Sequence, residues 1–519
     1  MRSVPSVHLP SRLAPLATVL LLGACTTLGP DYREPDVAWL RDWQPDLYGE
    51  VGEPASGNDL RSWWSVFEEP ALDALIATAR VENLDMRIAG LRILESRAAL
   101  GIADSARFPQ LQQVNGAATY VDLEQNGGVA LDRKQNLTSY QAALDIGWEL
   151  DFWGRFQRGI ESADAAFFTS IARQQDLQVL LSAQVADLYF AYRTTELRIG
   201  IARKNAAIQR RSLEITERLF GSGQSSELDL QQARTQYLAT LATIPELEIS
   251  LIRIRNAMAA LLGRPPGQLP ELAAGREELP VVAPQFVGEL PARLVLRRPD
   301  VRAAAWQVAA QSAQIGIAEA DFYPAISLFG TIGWSGDTLD TSPDTGSFGV
   351  GPSLTWNVFD YGRIRNNVRL QDARLQQSIE NFQNSVLQAA REIDDAAIGV
   401  AKTREQQSVL SESVTAAERS LELANRRYQE GYESFQRVLD AQRALFSQAE
   451  RELVNRGNHI SAVIDLYRAM GGGWLDMPLE EVVPAATRDT MRERSDWGDL
   501  LDAPLPTLSD RPPGPGATP

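Results

Sequence analysis

Between Gly362 and Met470 the apolar positions fall on a helical stripe. Ile364, Val368, Leu375, Ile379, Phe382, Val386, Ala390, Ile393, Ala397 and Val400 follow one another, and the stripe resumes at Leu410, Val414, Ala417, Leu421, Ala424 and Tyr428. The steps are nearly all three or four, the spacing of a coiled-coil seam. No proline interrupts the run. A helix from Arg363 to Arg427 would be roughly 100 Å long at 1.5 Å per residue, far beyond the usual globular helix. The pattern recurs within the chain. Trp148, Gly154 and Arg155 stand 208 residues before Trp356, Gly362 and Arg363, and Phe220, Gly223 and Ser226 stand 208 residues before Tyr428, Gly431 and Ser434. An offset held without slip predicts two copies of one unit, each with two long helices: Arg155 to Phe220 and Ser226 to Leu262, then Arg363 to Tyr428 and Phe435 to Met470. Pro245 is expected to kink or break its helix; its counterpart is Leu453.

Upstream of each long helix the period changes to two. Tyr140, Ala142, Leu144, Ile146, Trp148, Leu150 and Phe152 alternate with mostly polar residues, which predicts a strand long enough to span a membrane. A less regular run from Leu111 to Leu123 precedes it. In the second copy Ile326, Leu328, Ile332 and Trp334 share one face, as do Phe348, Val350, Leu354, Trp356 and Val358. Pro109 and Pro324 are 215 apart rather than 208, so the first hairpin is expected to be seven residues longer. A helix is expected from Pro70 towards Arg107. Residues 263–289 read as a proline-rich linker, 61–262 and 290–472 as the two copies, and the acidic, proline-rich 473–519 as a disordered tail. An ordinary antiparallel sheet with one buried face fits the alternation as well as a membrane sheet does. If the four strands do span, an open edge leaves backbone groups unsatisfied in hydrocarbon, and four strands are too few to close. Copies must then pool their strands, two giving eight and three giving twelve with room for a water-filled lumen.

The net charge is −17, which argues against nucleic acid as a partner, since such binding rests on Lys and Arg neutralising phosphates. Residues 1–24 read as an export signal: Arg2 and Arg12, an apolar Leu13–Leu22 too short to span, then "LLGAC". Cleavage before Cys25 and acylation of that residue are expected, followed by an extended arm over 25–60, and Thr26 points to the outer rather than the inner membrane. Cys25 is the only cysteine. Beyond the signal the one histidine is His459, so neither a His/Cys zinc site nor a Ser-His-Asp arrangement with a "GxSxG" turn can be assembled, and no lysine-bearing phosphate loop is present. His459 reads as a helix surface or interface residue. No enzyme activity and no cofactor are expected.

The "LGAC" signal, "WWSVFEEPALDALIATARVENLDMRIA", "LPARLVLRRPDVRAA", "FYPAISL" and "RYQEGYESFQRVLDAQRALF" together resemble the TolC/OprM-type outer-membrane efflux channels of RND-type systems, in their lipoprotein branch. The resemblance covers about residues 61–472. It implies a mixed α and β fold: a trimeric 12-stranded outer-membrane β-barrel, four strands per chain, continuous with a long periplasmic α-helical barrel. It implies a homotrimer in outer-membrane lipid, coupled through a periplasmic adaptor protein to an inner-membrane efflux pump, and gated at the periplasmic helix tips. On that resemblance Asp440 is the pore-lining aspartate, Arg443 a basic residue holding the tips shut, and Tyr428 and Asp229 partners of a link between the two helical hairpins of one protomer. Arg437 stands where some members carry a second aspartate, and Glu433 where some carry an arginine. A salt bridge between Arg437 and Asp440 is expected in place of a doubled acidic ring. Two alternatives carry different expectations: a lipid-anchored periplasmic coiled-coil scaffold without a pore, and an outer-membrane enzyme using the barrel as a support.

Overall fold

Capped helices and paired strands alternate along the chain. The computed structural model describes residues 27–43, 47–49, 60–124, 134–274, 278–282, 291–337 and 345–506; the signal, Cys25 and the last thirteen residues lie outside them. After a short arm come α1 (Pro70–Glu82), α2 (Leu84–Ser105), β1 (Leu111–Glu124), β2 (Lys134–Leu150), α3 (Arg155–Gly221) and α4 (Glu227–Leu261). Then follow α5 (Pro291–Arg297), α6 (Pro299–Ala320), β3 (Ala325–Gly336), β4 (Thr345–Thr355), α7 (Arg363–Gln429), α8 (Phe435–Ala469) and α9 (Ala485–Arg494). α3 and α7 are each 67 residues long, α4 and α8 each 35, and α2 and α6 each 22. Gly154 and Gly362, the N-caps of α3 and α7, both adopt left-handed backbone (φ 72° and 85°), a conformation open to glycine at little cost.

Three helices differ from what the sequence pattern suggests. The stretch from Pro70 to Ser105 is two helices, because Asn83 adopts extended backbone and its side chain accepts from the Met86 amide to cap α2. Pro245 leaves α4 unbroken; it is on the exposed face, where water can satisfy the carbonyl that loses its donor. Residues 473–506, expected to be disordered, pack on α2. Leu479, Val483, Met491 and Leu501 are buried with Leu94, and the Arg97 guanidinium donates to the carbonyls of Leu500, Ala503 and Pro504 at 2.7–2.9 Å. Their composition hides a few apolar residues spaced to reach one groove. The linker is likewise partly folded: Leu269, Leu272, Leu279 and Val282 join the main core.

The sheet is antiparallel in the order β1-β2-β3-β4, so among the described residues β1 and β4 have no strand neighbour on their outer sides. Register places Val114 opposite Leu144, Trp148 opposite Leu328 and Ile332 opposite Phe348. These residues share one face, and that face is exposed: Val114 and Phe348 each retain 78% of their accessibility. Apolar residues left out of the core argue against the reading as an ordinary sheet with a buried face. Trp148 Nε1 donates to the Arg107 carbonyl, and Trp356 Nε1 to that of Phe322. From these anchors to the strand starts there are four residues in the first hairpin (Leu111) and three in the second (Ala325). One of the seven extra residues is therefore Gln110, which bonds Glu149, and the hairpin proper is six longer. Among the described residues no helix is long and apolar enough to cross a membrane.

The helices form a layer α2-α3-α6-α7 next to the sheet; further along, α4 and α8 pack on α3 and α7. The core lies where they meet, with Trp63 stacked on Tyr467 at 5.4 Å. Arg298 ties three helices there. Its guanidinium donates to Asp300 on α6, Glu392 on α7 and the Ala469 carbonyl ending α8. Asp176 on α3 lines a cavity there together with Arg298, Asp300 and Glu392; burial, and then the Asp300 charge, push its carboxyl up to about 6. Burial likewise pushes Asp187 up to about 6, although Ser461 donates to it. The arm is pinned at the other end of the layer. Arg158, buried on α3, donates to the carbonyls of Leu28 and Gly29 and to Asp31. A Cβ on Gly316 would meet the Leu28 carbonyl, so α6 needs glycine there.

Two outcomes are expected. Arg97→Ala leaves three main-chain carbonyls without their charged donor, so trypsin should cut at Arg488–Arg494 about tenfold faster while the rest of the chain stays intact. A folded pKa above the unfolded one means that the ionised carboxylate destabilises the fold, an effect present above about pH 6 and lost as pH falls towards 4. Asp176→Asn should therefore raise the Tm at pH 7.5 and leave it unchanged near pH 4.

Candidate functional site at the helical tips

Each long-helix pair ends in the same turn. In the first, Ser222 donates to Arg218, Gly223 to Phe220 and Gln224 to Leu219, all through backbone amides; Glu430, Gly431 and Tyr432 repeat this on Arg426, Tyr428 and Arg427. Gly223 and Gly431 sit at φ 74° and 78°, the left-handed C-cap that allows the last carbonyls to be satisfied. The second helices start at Ser226 and Ser434. Immediately above the turns, Ala233, Leu421, Phe435, Val438 and Leu439 are buried together, with Tyr428 and Leu445 packed against them. The Tyr428 and Phe435 rings lie 5.3 Å apart. This small core joins the two hairpins of one chain.

Polar contacts frame it. Arg443 on α8 donates through Nε to Gln236 Oε1 on α4 at 2.8 Å, and through Nη1 to Asp440 at 3.2 Å. Gln436 also donates to Asp440, at 3.0 Å. Gln442, 2% exposed, donates to Ser212 Oγ on α3 at 2.9 Å. Asp440 and Arg443 are both half-exposed. An exposed pair of this kind adds little stability, so the Asp440 carboxylate stays available to whatever passes it.

The expected links are partly redirected. Arg437 does not pair with Asp440; it reaches Glu433 at 4.0 Å, and Glu433 also faces Arg427 at 3.6 Å. Glu433 lies in the turn before α8, where it sits between Arg427 ending α7 and Arg437 in the first turn of α8. Asp229 and Tyr428 are neighbours without a hydrogen bond between them among the described residues. Asp229 closes a capping box, accepting from the Ser226 amide and hydroxyl and from Ser225. Burial, and then the Asp229 charge, raise the Tyr428 phenol. The Arg443–Gln236 and Gln442–Ser212 bonds cross between hairpins instead. Gln442 carried a signal, since it interrupts the apolar stripe of Leu439 and Leu445. Gln236 carried none. His459 is an interface residue: Nδ1 lies 2.9 Å from Thr403 Oγ1 on α7 and Nε2 3.2 Å from the Val282 carbonyl. No group of His, Cys, Asp and Glu that could hold a metal is found among the described residues.

The family model described as "Outer membrane efflux protein" matches residues 75–264 and 290–472. The chain is 31% identical over 472 residues to the solvent efflux pump outer membrane protein SrpC of Pseudomonas putida, covering 89% of this chain and 98% of that one. It is 29% identical over 468 residues to the probable outer membrane lipoprotein SilC of Salmonella typhimurium, covering 90% and 99%. The solved outer-membrane channel OprN superposes with a TM-score of 0.78 at 32% identity, over 86% of this chain and 99% of that one.

If the crossing bonds hold the tips together, Arg443→Met should speed amide exchange of residues 228–240 by several-fold, a half-exposed hydrogen bond contributing about 1 kcal/mol. Tyr428→Phe should leave that exchange unchanged.

Proposed function

Because the chain belongs to the outer membrane efflux protein family, we propose that three copies assemble into one conduit, each giving four strands to a 12-stranded barrel in the outer membrane and its long helices to a periplasmic tube. The chain is the outer-membrane channel component of a tripartite efflux system. It carries small molecules passively, and an inner-membrane pump, reached through a periplasmic adaptor, supplies the energy. Cys25 carries the lipid anchor, and the two matched segments are structural repeats of one unit. The observation that carries this reading is the four-stranded sheet with two unpaired edges and an exposed apolar face. In water that face is a liability, and in a bilayer the edges are; only closure with further copies settles both. The poreless scaffold and the enzyme find no support among the relatives, which are efflux components and a channel.

The tips are the gate. Three Asp440 carboxylates form a ring at the narrow end, each next to Arg443, and such rings select by charge. Opening parts the hairpins, which requires the Arg443–Gln236 and Gln442–Ser212 bonds and the packing of Ala233 against the second hairpin to yield. Asp229 acts by holding the start of α4, and Glu433, between Arg427 and Arg437, stiffens the second turn.

Two measurements test this. Purified protein in detergent should be a trimer that conducts ions in planar bilayers; a non-conducting monomer would refute the reading. Asp440→Ala should weaken block by multivalent cations about tenfold or more, since each ring loses three charges. Unchanged block places the constriction elsewhere.

A further inference from the structure

The two hairpins of one chain meet where α8 runs against α3, and the approach is close at Gly457. A Cβ on Gly457 would stand 2.8 Å from Thr194 Oγ1 and 3.1 Å from its Cγ2. Glycine is a poor helix former, and here it sits inside a 35-residue helix. The closeness of α3 is what makes it fit. Thr194 Oγ1 is buried and has no hydrogen-bond partner among the described residues, so no bond ties its side chain to the contact. The repeat does not demand this arrangement. The counterparts 208 residues away are Ile249 and Lys402, both with long side chains.

The links on either side of the contact differ in kind. Above it α8 is tied: Ser461 donates to Asp187 of α3 at 2.9 Å, Tyr467 stacks on Trp63, and Arg298 holds the Ala469 carbonyl. Below it the main core ends on α8 at Leu453, and no residue from there down to Gln442 is buried. On α3, the buried residues between Ala202 and Ser212 are Ala202, Asn205, Ala206 and Gln209. Gln209 is 1% exposed, and neither its Oε1 nor its Nε2 has a partner among the described residues. Large apolar side chains interlock and fix a position; alanines and amides do so far less. Arg198 and Glu450, 2.6 Å apart, join the hairpins within two turns of the contact, through long side chains that can follow a short displacement. Asn455 donates to the Thr403 carbonyl and to Gln407, so α7 follows α8.

We propose that the contact of Gly457 with Thr194 is the pivot on which the second hairpin swings when the tips part. This rests on the reading of the tips as the gate and adds where the movement begins. The arm below the pivot runs 22 residues to Phe435 (457 − 435), roughly 33 Å at 1.5 Å per residue. The arm above runs 12 residues to Ala469 (469 − 457), roughly 18 Å, and is held. A small turn at the pivot is enlarged at the tip, where it acts on the Gln442–Ser212 and Arg443–Gln236 bonds. Gly457 and Thr194 are positioning residues, acting on the gate through the length of α8.

Bridging the hairpins on either side of the pivot tests it, with full-length trimers in planar bilayers. Apart from the expected anchor at Cys25 the chain has no cysteine. Asp187→Cys with Ser461→Cys joins α3 to α8 above the pivot, and Ser212→Cys with Gln442→Cys joins them below it. Each pair is closed with a short bis-methanethiosulfonate in an Arg443→Met background and compared with its own unbridged form. The lower bridge should cut the open probability about tenfold or more, and the upper bridge should leave it within about twofold. Gly457→Ala wedges a methyl against Thr194 and, the upper arm being held, levers the tip away from α3. Open probability should then rise about fivefold, the worth of one net hydrogen bond. Adding Thr194→Ala leaves only a Cβ at 3.5 Å and should return it to the native value. A lower bridge that alone stops openings, with that reversal, supports the pivot. No rise, a rise that Thr194→Ala does not reverse, or openings affected equally by the two bridges overturn the pivot, and the gate stands if Asp440→Ala still weakens cation block. Openings and block that no tip substitution alters overturn both.

Discussion

A peptide amide or carbonyl in hydrocarbon needs a partner, and no lipid can supply one. Nearly every feature of this chain near the sheet answers to that requirement. The hydrogen-bonded register of β1 to β4 satisfies the interior of the sheet but leaves two outer rows of groups bare. The apolar face bars water as the remedy and the bilayer bars an open edge. On the proposed conduit, other copies of the chain are a condition of the fold in its membrane and not an elaboration of it.

The helical half answers to a different demand, which is length. Helices of 67 residues are unstable in isolation unless a stripe is buried along their whole course. Small residues such as Ala186, Ala397 and Ala206 let the backbones approach, and Arg298 fixes their relative height by binding α6, α7 and the end of α8 together. Towards the tips the buried set shrinks to a few residues, and the hydrogen bonds that cross between hairpins there run from half-exposed Arg443 to Gln236 and from buried Gln442 to Ser212. Burial thins along the rods towards the proposed gate, where local opening is expected to cost least.

Periodicity made the long helices, the strands and the 208-residue offset legible, because those patterns are local and repeat. The family resemblance, and not periodicity, singled out Asp440, Arg443, Tyr428 and Asp229 at one end of the molecule. Neither settled their partners. Arg437 chose Glu433 over Asp440, and Asp229 chose its own helix cap over Tyr428, since both outcomes turn on rotamers and competing neighbours rather than spacing. The tail was misread for another reason. Leu479, Val483, Met491 and Leu501 are too sparse to raise average hydropathy, yet four well-placed side chains and one arginine suffice to dock a segment against a surface that is already built.

The clamp of Arg158 on Leu28 and Gly29 has a mechanical side. Thr27 lies against Gly154, at the level where strand gives way to helix. Cys25 is two positions before Thr27, a reach of at most about 7 Å. Acyl chains on that cysteine would enter the leaflet flush with the protein wall and at a set depth. The inner boundary of the bilayer would then be a fixed datum, and any difference between strand length and lipid thickness would have to be absorbed on the far side, at the hairpin ends.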